Sequence, residues 1–343
     1  MPIILLIYKI YLKKLISKVY KLNMKILAVQ NRMGIGDTVI FLPFIEAISK
    51  KFSTPVSLLV KKSSKADQYV NGTTYLDKII FLERSNKKDE RHNGIIGSIR
   101  LAQDLKKYKF DKIFIFNSSL RFNLIAKLAN INEIYQYPLF KKTNQHITQP
   151  AKDLIKKNLA IEVMNNPKIQ ISNNLIERAI VEFNININEL NVLLGIGGSG
   201  PTKRIPSKTF LSVIEKICNL KKCKFFLATG KKNEEQKILN EILNSKFKDK
   251  CIPLDKLSIA ETLPVIKNCN ISICNDSSFS HLSSALGIKT ITLMADTPLI
   301  YGSYSSNMYP IIPDDEITVR HNTFGKDKIS PDKIFNKFLS ILN

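Results

Sequence analysis

Short, mostly apolar runs alternate along this chain with longer stretches in which apolar residues recur every three or four positions, and the alternation repeats in both halves. The runs are Ile26 to Val29, Val56 to Val60, Lys78 to Leu82 and Lys112 to Phe116 in the first half, then Val192 to Ile196, Phe225 to Thr229, Ile271 to Cys274 and Thr290 to Met294 in the second. Brief continuous apolar runs are the signature of strands buried on both faces, and the helical periodicity between them supplies the crossovers that a parallel sheet requires. The pattern predicts an α/β chain with two Rossmann-like domains. A polar, Asn-rich stretch over 144–190 marks the crossover, so the expected organisation is a separate segment 1–23, a first domain 24–170 and a second domain 171–343.

Three strand-to-helix junctions carry the candidate chemistry. In the first, Gly34 and Gly36 allow a sharp turn and leave Asp37 at the mouth of a helix expected from about Thr38 to Lys51. The second runs from Gly195 to Pro206, ahead of a helix over about Ser207 to Leu220. Gly197 and Gly198 provide flexible backbone donors there, Ser199 and Thr202 hydroxyls, and Lys203 and Arg204 two adjacent cations, a set suited to a diphosphate. In the third, Asp276, Ser277, Ser278 and His281 lie between the strand ending at Cys274 and a short helix from Phe279 to Leu286, closed by Gly287. A helix start has unpaired N–H groups and a positive dipole end, so hydroxyls placed there favour phosphate or polyol. Each segment alone has an ordinary reading: Asp37 or Asp-Ser-Ser as a helix cap, His281 as a packed core histidine, one of the two cations as a solvated surface charge.

Taken in order, these segments resemble glycosyltransferase family 9, which contains the lipopolysaccharide heptosyltransferases. The resemblance is carried by Gly36-Asp37 with Pro43 downstream, by the Gly197-x-Ser199-x-x-x-Lys203-Arg204-x-Pro206 loop with Phe210, by the spacing of Gly230 and Glu234, and by the loop from Asp276 to His281. It spans about Met24 to Thr297. It implies a GT-B architecture of two Rossmann-like domains facing a cleft, and an inverting glycosyltransferase that moves heptose from ADP-heptose to a lipopolysaccharide core or related anionic glycolipid acceptor. On that resemblance Asp37 is the base, Lys203 ahead of Arg204 holds the diphosphate, Glu234 meets the ribose hydroxyls, and Asp276, Ser277, Ser278 and His281 hold the donor. The chain contains no Asp-x-Asp, so neither a metal nor another cofactor is expected. It departs from the family with Asp276-Ser277-Ser278 in place of Asp-Thr-Gly, Ser283-Ser284 in place of Ala-Ala, and Ala295-Asp296-Thr297 in place of Gly-Pro-Thr.

A formal charge of +23 over 343 residues implies acidic partners. Nucleic acid is not expected, because no zinc-finger spacing, RNA-binding aromatic motif or helix-turn-helix signature is present. A nucleotide-sugar donor and an anionic glycolipid account for the charge instead. Within 1–23, Lys9, Lys13, Lys14, Ser17, Lys18 and Lys21 fall on one half of a helical wheel, with Tyr11, Leu12, Leu15, Val19 and Leu22 on the other, an interfacial pattern too short in its apolar part to span a bilayer. An anionic membrane surface is its expected partner, although a start at Met24 would remove the segment. Five cysteines, all in the second half, and no secretory signal predict reduced thiols and cytoplasmic residence, peripheral on the inner face of the cytoplasmic membrane. An NAD-dependent oxidoreductase is disfavoured, because Val39 occupies the third glycine position and Lys61-Lys62 follows the second strand where an acid should bind ribose. Two alternatives stay open: a sibling transferase using another nucleotide sugar, and a noncatalytic nucleotide-sugar-binding module that would not need Asp37.

Overall fold

The computed structural model describes residues 24–84, 90–139 and 147–342, so the expected amphipathic helix over 1–23 lies outside the described residues. The chain divides into two compact units, of which the second takes 165–343 together with two short pieces from earlier in the chain, 34–40 and 67–72.

The first unit is built on β1 (Ile26–Gln30), α1 (Ile35–Phe52), β2 (Val56–Lys61), β3 (Leu76–Leu82), α2 (Gly94–Lys106), β4 (Lys112–Ile115), α3 (Leu120–Leu128), β5 (Glu133–Gln136) and α4 (Gln149–Leu159), with the first turn of α1 grouped with the second unit. Its five strands are all parallel in the order β3-β2-β1-β4-β5. Central β1 and β4 are buried along their whole length, whereas β3 and β5, at the edges, are largely exposed or half-buried.

The second unit contains α5 (Asn173–Glu182), β6 (Leu190–Gly195), α6 (Ser207–Leu220), β7 (Cys223–Ala228), α7 (Asn233–Leu243), β8 (Cys251–Pro253), α8 (Ile259–Lys267), β9 (Ile271–Asn275), α9 (Ser278–Ala285), β10 (Lys289–Leu293), β11 (Met308–Ile311) and α10 (Pro331–Leu342). Six parallel strands run β8-β7-β6-β9-β10-β11. On α6, Phe210, Val213, Ile214 and Ile217 recur at helical spacing and are buried with Val192, Phe225 and Phe338, which explains why this segment is a helix with one committed face.

All eight predicted strands form. The three that the pattern missed, β5, β8 and β11, are short edge strands that are not buried along their whole length, so they carry no continuous apolar run, whereas the equally short but central β4 is buried throughout and does. Helix α1 starts at Ile35, three residues before the expected position, because Asp37 Oδ2 accepts the Gly34 N–H at 3.1 Å and closes the first turn. Helix α9 starts at Ser278, one residue early, and Gly287 beyond its end takes a left-handed φ of 82°. All five cysteines are free thiols.

In each sheet the chain reverses its direction of growth once, between β1 and β4 and between β6 and β9, and ligands of open parallel sheets bind at the carboxyl ends of the strands flanking such a point. In the second unit β6 and β9 approach closely there: a Cβ on Gly195 would lie 2.6 Å from Cys274 Sγ. One residue further on, fully buried Asn275 ties the two strand ends together. Its Nδ2 donates to the Ile196 carbonyl at 2.8 Å and the Gly197 carbonyl at 3.3 Å, and its Oδ1 accepts the Ile205 N–H at 3.4 Å. Replacing Asn275 with Ala leaves buried backbone groups unpaired and should lower stability in urea denaturation by about 1–3 kcal/mol; an unchanged midpoint and slope would mean that the amide does not hold the loop.

Candidate functional site

The loops leaving β6 and β9 meet beyond Asn275. The β6 loop makes a short 3-10 turn at Pro201–Lys203, which brings Lys203 Nζ to 2.8 Å from Asp276 Oδ2. Asp276 is only 6% exposed. Burial pushes its carboxyl upward, but the charge of Lys203 and the hydrogen bond that Lys203 donates outweigh this and hold it below the ordinary carboxylate range. Asp276 is therefore ionised at neutral pH. Ser277, the N-cap of α9, makes no capping bond, and its buried Oγ has no hydrogen-bond partner among the described residues. Lys203 and Ser277, together with the positive N-terminal end of α9, thus offer a cation, a hydroxyl and a favourable helix dipole to an incoming anion.

His281, one turn into α9, is buried and held by Tyr304: Nδ1 lies 2.9 Å from the Tyr304 hydroxyl, and the two rings stack at 5.6 Å. Burial lowers its pKa, with Asp276 and Asp37 opposing the shift and Lys203 adding to it, so the imidazole is neutral at pH 7. Its Nε2 stands 4.0 Å from Asp276 Oδ1, an electrostatic neighbour beyond hydrogen-bond range. The first turn of α1 belongs to the same unit and reaches this ring. A Cβ on Gly36 would sit 2.3 Å from His281 Cδ2, so only glycine fits there, and the next residue is Asp37, half-buried and close enough for its charge to act on His281.

A second cluster flanks the β6 loop. Glu235 on the first turn of α7 is buried, and its Oε1 accepts the Gly198 N–H at 3.0 Å. Its carboxylate fills the space that side chains would need at Gly197 and Gly230, where an added Cβ would approach it to 2.7 and 2.3 Å. Beside it, the buried Thr229 Oγ1 has no partner among the described residues. Glu234, singled out by its spacing from Gly230, is exposed on the same turn. The acid that meets the glycine loop is therefore its neighbour. A helix turn rotates successive residues by about 100°, and only one of two adjacent glutamates can face inward.

The other predicted residues separate by burial. Arg204 is not a solvated charge: it is buried and its Nη1 donates to the Gly198 carbonyl at 3.4 Å. Thr202 and Ser278 are half-buried, while Ser199 is exposed on the loop. Of the departures from the family pattern, Ser284 bonds Ser305 at 3.0 Å in the core. Asp296 is buried with its Oδ1 accepting the Phe324 N–H at 2.9 Å. Burial raises its carboxyl, but hydrogen bonds from Phe324, Thr202, Thr323 and Asn322 bring it below the ordinary value, so this acid joins the β6 loop to the 322–324 turn. Asn275, Glu235 and Tyr304 escaped the sequence reading. Glu235 could have been flagged as one of a Glu-Glu pair, whereas nothing local marks Tyr304, which lies 23 residues from the histidine it holds.

Against known families, residues 98–318, well over half of the chain, match glycosyltransferase family 9 (heptosyltransferase). The chain is 26% identical over 260 residues to lipooligosaccharide heptosyltransferase 2 of Campylobacter jejuni, covering 71% of this chain and 76% of that protein. Among solved structures, a family 9 glycosyltransferase of Veillonella parvula superposes with a TM-score of 0.76 at 17% identity, covering 93% of this chain and 97% of that one. The E. coli ADP-heptose lipopolysaccharide heptosyltransferase II superposes with a TM-score of 0.71 at 14% identity, covering 93% and 98%. With its family match extending across the β6 and β9 loops, this chain belongs to glycosyltransferase family 9, the heptosyltransferases.

Proposed function

We propose that this chain transfers heptose from ADP-heptose to a lipopolysaccharide core or related anionic glycolipid, in a single inverting displacement that needs no metal ion. The observation that carries the reading is the convergence of Lys203, Asp276 and His281 at the carboxyl ends of β6 and β9, with the Gly36-Asp37 turn against the His281 ring. Similarity to a relative named lipooligosaccharide heptosyltransferase 2, and to a structure whose name includes ADP-heptose, supports the choice of donor and acceptor class.

In this reading the acceptor hydroxyl attacks the anomeric carbon and gives its proton to Asp37 as the bond from that carbon to the diphosphate oxygen breaks. The leaving diphosphate takes the bonding pair, and its charge is met by Lys203, the Ser277 hydroxyl and the start of α9. Asp276, ionised and fixed by Lys203, accepts hydrogen bonds from the donor sugar's hydroxyls, and neutral His281 offers a donor without adding charge. Glu235, with the unpaired Thr229 hydroxyl beside it, takes the ribose-binding role first assigned to Glu234. The expected location is the inner face of the cytoplasmic membrane, at an anionic surface; among the described residues no helix is long and apolar enough to cross one. A different nucleotide sugar is the second reading, favoured by Asp296, which places a carboxylate beside Thr202 at the donor loop. Calorimetry with ADP-heptose, ADP, and UDP- and GDP-sugars separates the two, and selective binding of a non-adenine donor would overturn the first.

Asp37→Asn should bind donor within a few-fold of wild type while turnover falls by roughly 10²- to 10⁴-fold, measured by radiolabelled sugar transfer; near-normal turnover would leave Asp37 as a helix-closing residue only.

Lys203→Ala should weaken ADP binding by about 1.5–3 kcal/mol in calorimetry, and it also strips buried Asp276 of its partner, so melting temperature should drop with it. Unchanged ADP affinity would place the diphosphate elsewhere.

Glu235→Gln and Glu234→Gln form a paired test of the nucleoside contact. The first should cost about 1–3 kcal/mol of ADP affinity and the second under about 0.5 kcal/mol, and the reverse order would return the role to the exposed glutamate.

A further inference from the structure

Helices α2 and α3 lie side by side on one face of the first unit's sheet, where Leu101, Ala102 and Leu105 of α2 and Phe122, Ile125 and Ala126 of α3 share a buried cluster with β1 and β4. Their outer faces are unusual. Ile95 is 83% exposed, Ile96 66% and Leu128 57%, and Ile99, Leu120 and Leu124 are also exposed. On α3 the three leucines follow at i, i+4 and i+8, a single stripe along the solvent side; on α2 the isoleucines occupy the first turns. Arg121, at the start of α3, donates to the His92 carbonyl just ahead of α2, so the two apolar faces begin at the same end of the helix pair. Isolated exposed apolar residues are ordinary, but six on two adjacent helices form a surface that needs a partner.

The charges around these residues identify that partner's chemistry. Exposed Arg100 and Lys106 of α2, Lys127 of α3 and Arg91 before α2 border the apolar face. Helix α3 carries no acid, and the one acid of α2, Asp104, is already engaged by Arg91 at 2.9 Å, Lys107 at 3.2 Å and His92 at 3.3 Å. Arg84 stands near enough to Arg121 for the two like charges to act on one another. Aliphatic side chains with no aromatic among the exposed six, bordered by cations and with their local acid neutralised, match an anionic lipid interface: methylene chains to receive the isoleucines and leucines, phosphate headgroups to receive the arginines and lysines.

We propose that the α2–α3 face docks on the surface of an anionic phospholipid bilayer. This rests on the proposed location at a membrane, and it adds to that reading a defined surface independent of residues 1–23. Docking by this face would hold the protein where its lipid-borne acceptor resides.

The test uses the full chain in sedimentation with vesicles of phosphatidylcholine alone or mixed with phosphatidylglycerol. Three variants accompany the wild type: Ile95→Ser/Ile99→Ser/Leu124→Ser; Arg100→Gln/Lys127→Gln; and Gln at Lys9, Lys13, Lys14, Lys18 and Lys21. The substituted helix positions are exposed, so folding, checked by thermal unfolding, and ADP affinity should not change. Wild type should pellet with the mixed vesicles only. The triple serine variant should bind at least about tenfold more weakly at both low and high salt, and the glutamine pair should be weaker at low salt alone. Wild-type binding by the serine variant, with loss confined to the amino-terminal lysine variant, would overturn the proposed face while leaving the membrane location intact. No binding by wild type would overturn both. A wild-type dimer in light scattering that becomes monomeric in the serine variant would assign the face to a second copy and overturn the lipid assignment.

Discussion

A carboxylate as deeply buried as Asp276 cannot stay ionised without compensation, and the second unit is arranged to supply it. Lys203 arrives on a separate loop, 73 residues away in sequence, and its ammonium must sit within a hydrogen bond of the acid for the pair to be tolerated. That requirement fixes where the β6 loop ends, and with it the positions of Thr202 and Arg204. In the proposed reading, a diphosphate would meet an ammonium already held in place by Asp276 rather than order a free one.

The loops that meet there are held by polar groups rather than by packing. Asn275 closes the gap between strand ends with all three of its bonds made to backbone, so the glycine loop is rigid where it leaves the sheet. Glu235 does the same one strand further out, using a carboxylate to fix Gly198. At four glycines something else occupies the volume a side chain would need: the Cys274 sulfur at Gly195, the Glu235 carboxylate at Gly197 and Gly230, and the His281 ring at Gly36. The glycine-rich motifs therefore describe crowding by the protein itself as much as flexibility.

The family match and the site chemistry bear on different questions. Membership in family 9 rests on a match across more than half of the chain, whereas the donor depends on details in which this chain is individual. Ser284 is absorbed by a core hydrogen bond to Ser305, which makes it a local repacking without reach toward the ligand. Asp296 differs: its carboxylate accepts from the 322–324 turn and from Thr202, so a departure at the end of β10 is transmitted to the loop that carries Lys203.

Apolar runs alternating with helical periodicity were enough to locate eight strands and the helix over Ser207–Leu220, because burial on both sides of a parallel sheet demands continuous hydrophobicity, and that demand is local. The α/β class, the two sheets and the segments bearing Asp37, Lys203, Asp276 and His281 were therefore determined by sequence alone. Only the tertiary structure decided which partners those residues have. Whether Glu234 or Glu235 turns inward depends on the rotation of α7 against β7, a matter of a single residue that spacing from Gly230 cannot resolve. That Tyr304 holds His281, and that Asn275 clamps a loop begun 79 residues earlier, depends on strand order, because residues distant in the chain become neighbours only when β6, β9 and β10 lie side by side.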